Sequence, residues 1–109
     1  MGDMSEAEEK TAALLAALWV KVRPVVEERL ALLDAAAAAA ANGALGEAQR
    51  TEASGAAHKL AGSLGMYGYD EGTAVARKIE VLLGEATPDA ARLRALNAEL
   101  RRAVFPQAP

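Results

Sequence analysis

Apolar residues recur along this chain at steps of three and four, the period of a helix with one buried face. Leu14, Leu15, Leu18, Trp19 and Val22 make the first such stripe. Val26, Leu30, Leu33 and Ala37 make a second, with Glu27, Glu28, Arg29 and Asp34 on its polar side. Val75, Ile79, Leu82 and Leu83 form a further stripe, and Leu93, Leu96, Leu100 and Val104 the last. The two-residue alternation of strands is absent throughout, as is any repeat of 20–50 residues.

Punctuation divides these stripes into helices. Ser5 and Glu8 have capping-box spacing, so a first helix is expected from Glu6. Pro24 predicts a break or kink, with a second helix from there to about Ala41 and a stop at Asn42-Gly43. The alanine tract 35–41 belongs to that helix, because alanine has the highest helix propensity. A third helix spans about Glu47 to Tyr67 with Gly68 as left-handed cap. A fourth follows Asp70 as N-cap and ends at Gly84. Thr87, Pro88 and Asp89 open the last helix as cap, first position and dipole partner, and Pro106 and Pro109 close the chain. Short connections force neighbours antiparallel. The expected fold is therefore all-α: an antiparallel up-down-up-down four-helix bundle with an additional N-terminal helix packed across it. Residues 1–109 form one domain, with an ordered core of about 5–104.

One residue in the third helix breaks the pattern. His58, the single histidine, stands opposite Ala53, Ala57, Leu60 and Leu64, the apolar side. Thr51, Gly55, Gly62 and Gly65 fall within about 60° of it at 100° per residue. Each glycine inside a helix costs roughly 1 kcal/mol relative to alanine. In so alanine-rich a chain, that cost around one exposed imidazole implies close approach by something else. Tyr67, Tyr69, Trp19, Phe105 and Met66 read instead as packing residues.

Composition narrows the chemistry. With no cysteine and one histidine, neither a disulfide nor a usual zinc site can be built, and no metal site is expected. A net charge of −3 argues against nucleic acid as partner. The longest mostly apolar runs fall short of a membrane span. The acidic start (Asp3, Glu6, Glu8, Glu9) is unlike a signal peptide, so no membrane association and a cytoplasmic location are expected. The spacing Gly62-x-x-Gly65-x-x-Gly68 lacks the form of a nucleotide-binding loop. A structural helical dimer would leave a long apolar stripe exposed outside the monomer core. None is expected, so the chain reads as a monomer.

The stretch around His58 resembles the histidine-containing phosphotransfer (HPt) domain of two-component phosphorelays. His58, Leu60, Gly62, Ser63, Gly65 and Gly68 fill that family's motif in order, and the helix layout is similar over about residues 5–104. One position departs: the family often has lysine or arginine three places after the histidine, where this chain has Ala61, while Lys59 lies about 100° round the helix. The resemblance implies a carrier without kinase activity of its own. It would accept a phosphoryl group on His58, at the more exposed Nε2, from one receiver-domain aspartate and pass it to another. Imidazole, with a reference pKa near 6.5, is partly unprotonated at neutral pH, as a phosphoryl nucleophile must be.

The implied partners are a response-regulator receiver domain, a hybrid histidine kinase, or both. The chain itself would bind no cofactor, the Mg²⁺ residing on the receiver. Gly62, with Gly55 and Gly65, would clear space for the incoming partner. Lys59, Ser63, Arg77 and Lys78 are candidates for phosphate or partner docking. The alternative is a non-catalytic interaction module that docks or sequesters a receiver or kinase.

Overall fold

The computed structural model describes residues 5–105; Pro106 and Pro109 lie outside them. Four α-helices account for most of this span: α1 (Glu6–Ala41), α2 (Glu47–Leu64), α3 (Asp70–Leu83) and α4 (Ala90–Val104), with a short 3-10 turn at Gly65–Tyr67. No strand occurs among the described residues. α1 packs on α2 and α4, and α3 packs on the same two, so the helices close a ring around one core. Val26, Leu30, Leu33, Leu60, Leu64, Val75, Ile79, Leu83, Leu93, Leu100 and Val104 fill it, with buried alanines letting the backbones approach. Three of the four expected stripes, with the apolar side of the His58 helix (Leu60 and Leu64), supply these residues; the first stripe, Leu14 to Val22, supplies none of them.

The helix ends follow local chemistry. Ser5 Oγ accepts from the Glu8 amide at 3.1 Å and Glu8 Oε1 accepts from the Ser5 amide at 3.4 Å, completing the capping box. Gly43 (φ +66°) and Gly68 (φ +88°) take the left-handed conformation that ends α1 and the 3-10 turn. Two caps differ from expectation by one or two residues. Tyr69 is the N-cap of α3, with Asp70 already in its first turn. Asp89, rather than Thr87, caps α4, accepting from the Arg92 amide at 3.1 Å. Pro88 is buried just ahead of it.

The largest correction concerns Pro24. The chain does not break there: α1 is one uninterrupted helix of 36 residues. Proline lacks an amide hydrogen and crowds the carbonyl four residues earlier. Here both Pro24 and Val20 are exposed, so that carbonyl can turn to water. The segment expected as a separate helix across the bundle is instead the N-terminal half of α1. At 1.5 Å per residue α1 spans about 54 Å, roughly twice the length of α2, and the molecule measures 54 × 24 × 23 Å. Residues 6 to about 18 therefore overhang the bundle as an arm.

Trp19 anchors the base of the arm, its ring 4.9 Å from that of Tyr69, 5.4 Å from Tyr67 and 6.2 Å from Phe105. Arg23 stacks over Phe105 at 4.9 Å. These aromatics pack as expected. Beyond them the apolar stripe is uncovered: Leu14 is 61% exposed and Leu18 37%. The expectation that no stripe would be left outside the core is thus corrected, because the helix runs past the bundle rather than folding back over it. Met66, read as a packing residue, is also exposed (61%); two positions past buried Leu64, it lies about 160° round from it by helical period.

Candidate functional site

α2 divides sharply into two sides. Ala53, Ala57, Leu60 and Leu64 are buried against the other helices, while the His58 side chain is 76% exposed on the opposite side. That much follows from helical period. The ring's orientation has a tertiary cause. Its Nδ1 lies 3.0 Å from Oε2 of Glu80 on α3, a residue 22 positions away in the chain. Glu80 sits one residue after buried Ile79, at the seam with α2, and its side chain is 34% exposed.

The contact has a direct chemical consequence. A carboxylate only accepts hydrogen bonds, so Nδ1 must carry the hydrogen in the neutral ring. The lone pair is then on Nε2, the nitrogen facing away from Glu80. The pair thus sets both the tautomer and the ring angle. The sequence did not single out Glu80, and this role was missed. The available signal was its place beside Ile79, which puts it within reach of a neighbouring helix without saying which one.

The glycines separate into two kinds. A Cβ at Gly55 or Gly62 would meet nothing within 4 Å, so packing does not require glycine at either position. Both flank His58 on its own side of α2, where larger side chains would project beside the imidazole. At Gly65, by contrast, a Cβ would lie 3.5 Å from Thr73 Oγ1 and 3.8 Å from Asp70 Oδ1, so this glycine borders the start of α3.

The polar candidates also divide. Lys59 is exposed next to His58. Ser63 donates its hydroxyl hydrogen to the Lys59 carbonyl at 2.9 Å, a bond within the helix. Arg77 and Lys78 are exposed and border a shallow groove between α3 and α4. Lys78 lies about 160° round α3 from Glu80, so it does not share the face of His58. Ala61, where the family often has a cation, is buried. No cluster of three or more metal-ligating side chains occurs among the described residues. No described helix is long and apolar enough to cross a membrane.

The described residues thus form a helical bundle with one exposed imidazole that a carboxylate contacts and open glycines flank. The sequence model of the Hpt domain matches residues 14–104, and the chain belongs to that family. Its members carry phosphoryl groups in two-component systems, where receiver domains and histidine kinases are the partners. No curated protein and no solved structure matches the chain significantly.

Proposed function

We propose that this protein is a phosphorelay carrier that accepts a phosphoryl group on Nε2 of His58 from a receiver-domain aspartate and passes it to another. The observation that carries the reading is the exposed His58 ring with Nδ1 held by Glu80 and Nε2 free. In the forward step the Nε2 lone pair attacks the phosphorus of an aspartyl phosphate. The N–P bond forms as the P–O bond to the aspartate breaks, and the aspartate leaves as carboxylate. The ring keeps its hydrogen on Nδ1 and becomes cationic, and the Glu80 carboxylate beside it stabilises that charge. Return to a second aspartate is the same step reversed.

Phosphoryl transfer depends mostly on positioning and electrostatics, so a carrier can leave the remaining groups to its receiver. Gly55 and Gly62 leave room for the receiver's loops, and Lys59 is the cation nearest in sequence to the phosphorylated ring. Gly65 and Ser63 shape the helix end rather than touch phosphate. Arg77 and Lys78 act at most as a basic margin for an acidic receiver surface. The ring of helix contacts and the short connections support an up-down-up-down order, which holds α2 and α3 side by side. The cytoplasm, where receivers work, is the compartment this reading assigns.

The test is transfer from a phosphorylated receiver domain to the wild-type chain beside His58→Gln. Acid-labile, base-stable phosphate on the wild type alone is expected, the behaviour of a phosphoramidate. Phosphate on His58→Gln would place the acceptor elsewhere. Binding of receivers without any transfer would replace the carrier with a docking module.

A further inference from the structure

The corner between α1 and α2 carries a motif that the chemistry of His58 does not use. Asn42 is followed by Gly43, and the only other asparagine in the chain, Asn97, is followed by Ala98. The side-chain amide carbon of an asparagine can be attacked by the backbone nitrogen of the next residue, which closes a succinimide ring. Glycine favours the attack, because it has no side chain to crowd that nitrogen and the widest backbone freedom.

Structure separates the two asparagines. Asn97 is 4% exposed inside α4, and its Nδ2 donates to the Leu33 carbonyl at 2.9 Å. A ring there would have to break the helix. Asn42 and Gly43 are exposed, and a Cβ at Gly43 would meet nothing within 4 Å. Their backbone closes α1 as a Schellman motif: the Gly43 amide donates to the Ala40 carbonyl at 3.1 Å and the Ala44 amide to the Ala39 carbonyl at 2.8 Å. Asn42 has ψ 6°, which turns the Gly43 nitrogen away from the Asn42 side chain. Attack therefore waits for this last turn to open, and helix ends open most readily.

The products act on α1. Ammonia leaves as the ring closes, and water opens the ring at either carbonyl to give aspartate or isoaspartate. Both carry a carboxylate that is ionised at neutral pH, its ordinary pKa being about 3–4, so the net charge becomes one unit more negative than −3. The new charge falls at the negative end of the α1 dipole, where the last turn has no basic residue. Isoaspartate also routes the main chain through the side-chain carbon and lengthens the loop that the Schellman bonds close. His58 stands about 16 Å along α2 from Glu47, so the change weakens the corner and leaves the acceptor intact.

We propose that Asn42 is a site of spontaneous deamidation through a succinimide formed with Gly43, gated by the cap of α1, and that the conversion loosens the α1–α2 corner. Ageing the 109-residue chain at mildly alkaline pH, folded and in unfolding urea side by side, tests it. Trypsin isolates the two asparagines in peptides 30–50 and 95–101. Mass spectrometry should find the acid in 30–50, with isoaspartate detected by isoaspartyl methyltransferase labelling, while 95–101 keeps its amide in the folded chain. Breaking the bond from Gly43 to Ala40 limits the folded rate, which should lie about 5- to 10-fold below the unfolded rate. Asn42→Gln, whose longer side chain disfavours ring closure, should age unchanged. Asn42→Asp should show a lower urea midpoint than wild type. A folded chain with Asn42 intact after the unfolded chain has converted completely overturns the proposal. So do equal rates in the two states, conversion of Asn97 ahead of Asn42 in the folded chain, or an Asn42→Asp midpoint at or above wild type.

Discussion

Replacing Glu80 tests the proposed chemistry without touching the nucleophile. At 3.0 Å a full carboxylate–imidazolium pair is worth about 1.4 kcal/mol at the dielectric of water. With the imidazole 76% exposed, solvent screening reduces this to about 0.5–1 kcal/mol. The hydrogen bond gives a similar figure, since a charged acceptor adds roughly 1 kcal/mol over a neutral one. Glu80→Gln keeps the shape and removes the charge. Each 1.36 kcal/mol in the barrier is tenfold in rate, so the transfer rate constant should fall about 2- to 6-fold. Glu80→Ala also frees the tautomer, and a fall of about 10-fold is expected from a total loss near 1.4 kcal/mol.

Single-turnover transfer from a phosphorylated receiver measures these rates. Imidazole ¹⁵N shifts of His58 supply the independent readout: the proton sits on Nδ1 in the wild type and redistributes toward Nε2 in Glu80→Ala. Wild-type rates and an unchanged tautomer in both variants would refute the orienting role. Loss as complete as that of His58→Gln would refute the magnitude, because a screened pair cannot supply it.

Three further outcomes follow from the backbone. Gly62→Leu meets no neighbour at Cβ, so melting temperature should hold or rise, by up to about 1 kcal/mol of propensity, while transfer slows at least tenfold; unaffected transfer would sink the clearance reading. Pro24→Ala should raise stability by about 1–3 kcal/mol in urea melts, because α1 is continuous through residue 24; no gain would mean the helix is interrupted there. Gly72 is buried, and a Cβ there would lie 3.2 Å from Leu64 Cδ1 and 3.3 Å from Val104 Cγ2. Gly72→Val should therefore cost about 1–3 kcal/mol by overpacking, and a melting temperature at or above wild type would show that α3 can shift.

Helix content, most of the core and the exposure of His58 were decided within single helices. The 3.6-residue period alone sets Ala57, Leu60 and Leu64 opposite His58 and its glycines, and caps such as Ser5 and Gly68 depend on residues three or four apart. The misread features needed information that does not lie along one helix. Pro24 is a stop signal locally, yet the carbonyl it disrupts lies on the wet side of α1 and the helix continues. Its continuation then turned Leu14 and Leu18 from expected packing residues into an exposed stripe.

Buried Asn97 and the close approach at Gly72 depend on which helices touch, as does the Glu80–His58 pair. Asn97 donates to the Leu33 carbonyl at 2.9 Å, and Glu80 meets His58 across 22 residues. Period says which side of a helix a residue occupies. The axial register of α3 against α2, set by the packing of Ile79, Leu60 and their neighbours, decides which carboxylate reaches the imidazole. The sequence by itself determined that one histidine would stand out among glycines on a helical bundle. The tertiary structure decided which of its nitrogens is free to react, because only packing could bring Glu80 to the other.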